Sequence, residues 1–316
     1  MIEAAARVLI LFGPTAVGKT AAAVDVARRL SVTDCVGGEI ISADSRAFFC
    51  GLDVVTDKPT SDQREGIPHH LIDVVPLCGA YDAMAFREDV ARLVPEIRAR
   101  GRVPMIVGGG TLYLGALLRG LFDGPGSDET LRRELSAKPV ETLYAELRKI
   151  DPAAAQSIHP NDRLRIERAL EVYRLSGRPI SAWQAEAAPS PYRFVVVGLQ
   201  RERTEHRTAI AARVRRMIEE GLLDEFLGLR AAGLTPDCQA YRTIGIPEAE
   251  AHAAGRITID EMAERITNRT WQLARRQTAW FRREKDVFWI DVTGRRTEDV
   301  AQDIIEQWDR STEDRR

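Results

Sequence analysis

The stretch Val8-Leu9-Ile10-Leu11-Phe12, running into Gly13-Pro14-Thr15-Ala16-Val17-Gly18-Lys19-Thr20 and then Ala21 to Leu30, decides the fold. Five apolar residues have strand length, the next eight fit G-x-x-x-x-G-K-[ST], and the run after them is rich in strong helix formers. Strand, glycine loop and helix, in that order, are the context in which this motif binds phosphate. The glycines let backbone N–H groups converge on anionic oxygens, and the following helix presents its positive end to the same point. Lys19 reaches a terminal phosphate, and the Thr20 hydroxyl is placed to ligate Mg²⁺. The candidate set for a di- or triphosphate is Gly13, Thr15, Ala16, Val17, Gly18, Lys19 and Thr20, with Thr20 as the metal ligand.

Outward from this loop the pattern continues. Ile40 to Ala43 reads as a short strand ending at Asp44-Ser45, and Tyr81 to Arg100 carries Phe86, Val90, Leu93 and Ile97 at helical spacing. Val103 to Val107 is another strand, entering Gly108-Gly109-Gly110-Thr111, and Leu112 to Leu121 looks helical. Alternating strand and helix predict an α/β fold, a P-loop NTPase-like parallel sheet core. The pattern breaks at Asp123-Gly124-Pro125-Gly126, and residues 127 to 183 read as helices only. Their starts fall at Ser127 or Asp128, at Asp151-Pro152 and at Asn161-Asp162, with a stop at Gly177. Ala187 to Pro191 is a loop, and Phe194 to Leu199 returns as a strand. Helices follow near 205–220, 222–232 and from Asp260 to Arg283. On the last, Ile266, Leu273 and Trp280 mark the apolar face, with Arg265, Arg269 and Arg276 on another. The expected plan is a core over 1–125 and 194–291, an inserted all-helical lobe over 126–193, and a polar, frayed tail over 292–316.

The 316 residues are 44% hydrophobic and 29% charged, an ordinary soluble composition that excludes a collagen-like or wholly disordered chain. No apolar run approaches the roughly 20 residues a bilayer requires, so neither a span nor a signal peptide is expected. Cys35, Cys50, Cys78 and Cys238 are scattered, which suggests no zinc ribbon or disulfide framework and favours a reducing, cytoplasmic setting. His69-His70 lacks a third ligand at metal spacing, so no zinc is expected. The net charge of -2 hides an asymmetry. Residues 163 to 216 carry twelve Arg against five Glu, and 265 to 283 carry six Arg and no acid. Two such stretches suit a polyanion, nucleic acid first of all, although only five of the 45 basic residues are Lys and arginine-rich helices are often simply solvated faces. Trp271, Trp280 and Phe281 lie among these arginines; they suit base stacking, but aromatic residues at helical spacing are more often core. Asp44 is the acid at a strand end near the sheet centre, and spacing alone leaves it a metal carboxylate, a general base or a cap.

Taken together the motifs resemble the tRNA dimethylallyltransferase family, also called tRNA isopentenyltransferases or the IPP transferase family. The resemblance covers Gly13 to Thr20, Ile41-Ser42-Ala43-Asp44-Ser45, Gly51-Leu52-Asp53, Thr56-Asp57-Lys58-Pro59 and Pro68-His69-His70-Leu71-Ile72-Asp73. It continues through Val107-Gly108-Gly109, Leu112-Tyr113-Leu114, His159-Pro160-Asn161-Asp162, Arg165 to Tyr173, Ile244-Gly245 and Arg275 to Arg282. It implies transfer of a dimethylallyl group from dimethylallyl diphosphate to N6 of the adenosine 3′ of the anticodon. The phosphate loop would then hold a diphosphate with Mg²⁺, and core and lobe would hold the anticodon stem-loop of tRNA; a monomer is implied. It makes Asp44 the base, Arg213 the arginine on the leaving diphosphate and Thr111 the threonine beside the reacting amine. It assigns tRNA contacts to Asp44, Ser45, Arg46, Ala47, Gly110, Arg132, Leu164, Arg165, Ile166, Glu167, Arg168, Arg242 and Gly245.

The chain departs from the family pattern on the acceptor side. Ala47 stands where a glutamine is usual, Phe49 for tyrosine, Val55 for glycine, Ile246 for tyrosine and Arg215 for aspartate, and Thr111 comes one place late. These departures keep two alternatives in view, the same transfer to AMP or another RNA and a tRNA binder without catalysis, and the phosphate loop by itself keeps a third, a P-loop nucleotide or nucleoside kinase.

Overall fold

The computed structural model describes residues 6–32, 35–120, 124–186 and 190–313, with the backbone alone at 31, 32, 35, 312 and 313. Asp123 and residues 187–189 of the expected loop lie outside the described residues.

Six strands form one sheet: β1 (Arg7–Phe12), β2 (Gly38–Ser42), β3 (His69–His70), β4 (Val103–Gly108), β5 (Arg193–Gln200) and β6 (Phe288–Asp291). Their spatial order is β3-β2-β4-β1-β5-β6, and each of these neighbours pairs in parallel. A parallel sheet is covered on both faces, which is why β1 reads as one apolar run, with Val8 to Phe12 fully buried. The expected α/β core is present. The short edge strands β3 and β6 escape sequence reading, because two and four residues carry no usable periodicity.

Register places the site. Phe12 sits opposite Gly108, and Ser42 opposite Val107, so β1, β4 and β2 end level. Three loops therefore leave the sheet side by side: Gly13–Thr20, Gly109–Thr111 and Ala43–Ser45. The packing between them is tight, since a Cβ at Gly108 would lie 2.4 Å from the Ala43 carbonyl atoms. The Gly110 N–H donates to Ala43 O at 2.9 Å and joins two of the loops directly.

On one face the helix Lys19–Arg29 packs with the helix Thr297–Glu313 in a core that includes Leu9, Leu11, Met105 and Val197. This corrects the expected frayed tail: Val300, Ala301, Ile304 and Trp308 are buried, and the Arg7 guanidinium lies 4.0 Å over the Trp308 ring. A polar composition had hidden an apolar stripe at helical spacing. Burial of Val300 and Ile304 stabilises the unit by about 1.5–3 kcal/mol each.

On the other face the helix Ala83–Ala99 buries Phe86, Val90, Leu93, Val94 and Ile97. The helix Ile259–Phe281 stacks Phe281 on Phe12, ring centres 4.3 Å apart, so Phe281 is core. Its buried stripe is Met262, Ile266, Thr270, Ala274, Gln277 and Phe281, while Leu273 and Trp280 are half-buried. The expected stripe advanced by sevens and drifted off the buried face, as a heptad does by about 20° on a straight helix.

The chain divides into two compact units, Met1–Gly115 with Pro191–Arg316, and Ala116–Ser190, against sequence boundaries of 126 and 193. In the second unit Asp128, Asp151 and Asp162 are N-caps, and Gly177 in the left-handed region (φ 70°) ends the helix Arg163–Ser176. Its core is Leu135, Leu143, Leu147, Ile166, Leu170, Val172 and Ile180. No helix among the described residues is long and apolar enough to cross a membrane.

Cys78 and Cys238 form a disulfide, where the scattered cysteines had suggested no disulfide framework. Their separation of 160 residues left no local spacing to read. Thiol titration of the denatured protein is therefore expected to gain two thiols per chain after reduction, and no gain contradicts the pairing.

Candidate functional site

The phosphate loop has the backbone its sequence requires. A Cβ at Gly13 would lie 2.8 Å from Leu199 O, so only glycine allows the loop this close to β5. Ala16 (φ 61°) and Gly18 (φ 103°) both take left-handed conformations, which curl the loop so that its N–H groups form an anion-binding concavity. The helix Lys19–Arg29 starts with no side-chain cap and no acid in its first turn, so its end stays positive. Ala16, Gly18, Lys19 and Thr20 line a cavity of about 430 Å³, together with Asp57, Lys58, Arg213 and Arg216. Gly13 and Val17 are buried behind it and shape the loop rather than facing the cavity.

The Lys19 ammonium donates to Pro14 O at 2.8 Å. Loss of solvation pushes its pKa down to about 8; Asp44 pulls it up and Arg213 pushes it further down. A bound diphosphate favours the charged amine and raises that value. Diphosphate affinity is therefore expected to weaken as pH rises past about 8, by up to about tenfold per pH unit. Titration calorimetry of wild type against Lys19→Met checks this. The variant should bind more weakly and lack that limb, and a limb retained in it assigns the titration elsewhere.

A second cavity of about 570 Å³ opens beside the first. Ser45, Arg46, Gly110, Thr111, Leu112, Arg242, Arg269 and Arg276 line it, so the displaced Thr111 does face this space. The two cavities share Thr15, Asp44, Thr56, Gly109, Arg213 and Gln277. A phosphate compound in the first and an acceptor in the second would meet at these residues.

The shared residues are held by hydrogen bonds. Asp44 Oδ1 accepts the Arg46 N–H at 2.9 Å, a local turn that fixes the carboxylate's direction. Arg46 donates to Gln239 O at 2.9 Å, and burial pulls its pKa down. Arg213 donates to Thr15 Oγ1 at 2.6 Å and to Thr56 O at 2.8 Å, and meets Asp57 at 3.3 Å. The loop before Thr56 is anchored in turn, because Glu225 accepts the N–H groups of Asp53, Val54 and Val55 at 2.7–2.9 Å. The Lys58 ammonium ties Phe49 O to the carboxylates of Asp53 and Asp73. His206 meets Thr15 O at 2.8 Å; burial lowers its pKa, which favours a neutral imidazole donating there.

Other sequence candidates lie elsewhere. Ala47 is buried and lines the phosphate cavity rather than the second one. Gly245 is buried with φ 110°, its N–H donating to Glu248 at 2.8 Å, and a Cβ there would meet Val55 at 2.5 Å. Its role is to turn the chain, and it presents no side chain to a ligand. In the second unit, Arg132 and Arg168 both bind the fully buried Glu171, at 2.9 and 2.6 Å, and hold its pKa below the carboxylate range despite burial. Glu167 pairs with Arg163, and Ile166 is fully buried in that unit's core, so its side chain is not a contact surface. Leu164 is 74% exposed and Arg165 makes a loose pair with Asp162 at 3.4 Å, which leaves both accessible. Sequence reasoning missed His206 and Glu225, and it gave no role to Thr56 and Gln277, which it met only within longer family segments.

Among the described residues no cluster of three or more His, Cys, Asp or Glu could enclose a metal. The Thr20 hydroxyl on the phosphate cavity fits a cation whose other ligands come from phosphate oxygens and water, the manner in which Mg²⁺ is usually held.

Comparison with known proteins follows from this geometry. The family model described as IPP transferase matches residues 47–284. The chain is 41% identical over 299 residues to a protein of Geobacter metallireducens named tRNA dimethylallyltransferase, covering 93% of this chain and 95% of that one. It is 43% identical over 291 residues to tRNA dimethylallyltransferase 2 of Geotalea uraniireducens, covering 90% and 92%. Among solved structures, the full-length tRNA isopentenylpyrophosphate transferase of Bacillus halodurans is similar with TM-score 0.72 and 35% identity over 98% of this chain and 99% of that one. A eukaryotic dimethylallyltransferase acting on tRNA is similar with TM-score 0.75 and 26% identity, over 92% and 74%.

Proposed function

The chain belongs to the IPP transferase family, and on that premise we propose that it acts as a tRNA dimethylallyltransferase. It moves a dimethylallyl group from dimethylallyl diphosphate to N6 of the adenosine 3′ of the anticodon. One observation carries this reading: a phosphate cradle and an arginine-rimmed cavity lie side by side and share Asp44 and Arg213 in their walls.

In the reaction the allylic C–O bond to diphosphate breaks, the carbon–N6 bond forms and the N6 proton leaves to the Asp44 carboxylate. Adenine N6 is a weak nucleophile, so a fixed carboxylate against the amine lowers the barrier by taking that proton as the bond forms. The departing diphosphate is met by the loop amides, Lys19 and Arg213, groups already oriented before charge develops. Mg²⁺ at Thr20, when bound, neutralises part of the same charge. Val55, Val214, Met217 and Ile266 give the second cavity an apolar wall that keeps water from the cationic allylic centre.

Arg46, Arg242 and Arg276 around that cavity suit a polyanionic acceptor better than a mononucleotide, while Arg269 beside them is paired with the buried Glu248. A base in a single-stranded loop enters such a cavity at a modest unstacking cost. A tRNA substrate supports a cytoplasmic setting, while the Cys78–Cys238 disulfide removes the support that scattered cysteines gave it, and the monomer rests on the family resemblance alone. Initial rates on unmodified tRNA, AMP and ATP, each with dimethylallyl diphosphate, test the acceptor. The expected order is tRNA far above both nucleotides, and equal use of AMP overturns the RNA assignment.

A further inference from the structure

Gln277 is a polar residue on the buried face of the helix Ile259–Phe281, only 8% exposed. Both ends of its side-chain amide are engaged. Oε1 accepts the Thr15 N–H at 2.9 Å, and Nε2 donates to Gly109 O at 2.8 Å. One amide thus joins the phosphate loop to the loop that leads into Gly110 and Thr111. The approach is close: a Cβ at Gly109 would lie 2.6 Å from Gln277 Nε2 and 3.2 Å from Gly13 O, so only glycine leaves room for this contact.

We propose that Gln277 is a positioning residue that locks the donor loop and the acceptor loop in one register. The inference rests on the transfer reaction proposed above. Through Thr15, whose hydroxyl accepts from Arg213, Gln277 fixes the arginine over the leaving diphosphate. Through Gly109 it fixes the wall against which the adenine amine lies. Lys19, Thr20 and the N–H groups of Ala16, Val17 and Gly18 make no hydrogen bond to it, so most of the phosphate cradle stands without it even though Thr15 does not. Its loss should therefore spare donor binding and slow transfer, because a misplacement of about 1 Å between reacting atoms costs up to about 10²-fold in rate.

The test uses the full-length protein with Gln277→Leu and Gln277→Glu, each first shown to melt as wild type does. Leucine removes both hydrogen bonds. Glutamate reproduces them only when protonated, since a neutral carboxyl has one donor and one acceptor, whereas its anion would face the Gly109 carbonyl. The charged and titratable groups nearby are Asp44 and Arg213 on the same cavities, His206 on Thr15 O, Lys19, and Arg276 next in sequence. All are common to variant and wild type, so the ratio of the two rates isolates position 277.

For Gln277→Leu the expected result is a kcat at least about tenfold lower, with the donor Kd within about threefold of wild type. For Gln277→Glu the rate relative to wild type should rise as pH falls from 8 to about 5.5. A leucine variant with wild-type kcat, a donor Kd weakened as much as kcat, or a glutamate ratio flat with pH overturns the proposal. Wild-type product formed in the same assay separates these failures from failure of the transfer reading itself.

Discussion

Replacing Asp44 by asparagine is expected to lower the rate of dimethylallyl transfer by about 10²–10⁴-fold, the usual contribution of a general base. Asparagine keeps an oxygen for the Arg46 N–H that Asp44 accepts at 2.9 Å, so the loop retains its turn. What disappears is the capacity to take the N6 proton. Donor binding should survive, since in the proposed reaction the phosphates rest on Ala16 to Thr20 rather than on Asp44. A smaller effect accompanies it. Asp44 is the group that raises the Lys19 pKa toward its ordinary value, so in the variant the weakening of diphosphate affinity should begin below pH 8. Single-turnover rates with calorimetric donor titrations separate the two effects, and a variant that transfers at the wild-type rate places the base elsewhere.

Arg213→Gln should cost about 10²–10³-fold in kcat, the loss typical of removing one oriented donor from a developing oxyanion. The guanidinium is fixed on three sides by Thr15, Thr56 and Asp57 before any substrate arrives. Glutamine can replace neither the charge nor that fork. Asp57 would keep its 2.7 Å partner Arg216, so the surrounding loop should persist and melting should change little. Burst measurements of diphosphate release check this, and a loss below about threefold would assign leaving-group stabilisation to Lys19 and the loop amides alone.

The donor half of the site was readable because its chemistry is local. A strand, eight residues and a helix contain everything the phosphate cradle needs, and the structure puts Lys19 and Thr20 on the cavity their motif predicts. Asp44 was readable as a candidate from its place at a strand end, but not in its role, which depends on β2 lying beside β4 and β4 beside β1. Arg213 carries no local signal at all. It reaches Thr15 across 198 residues, and only resemblance to a family singled it out. Gln277 did leave a trace: with Thr270 it is a polar interruption in an otherwise apolar helical stripe, and such a residue at a core position calls for a partner. The arginine count in the second unit misled in part, because Arg132 and Arg168 serve the buried Glu171, a contact made only once the helices pack. Likewise the C-terminal helix looked polar until Trp308 and Ile304 were seen against the sheet core.

The most direct measurement of the central claim is product analysis on the intact protein. Wild type and Asp44→Asn are each incubated with Mg²⁺, dimethylallyl diphosphate and unmodified tRNA, and the digested RNA is read by mass spectrometry. The account predicts N6-dimethylallyl adenosine at the position 3′ of the anticodon with wild type and almost none with Asp44→Asn. Unmodified tRNA recovered from wild type, or a prenyl group found at another position, would contradict it.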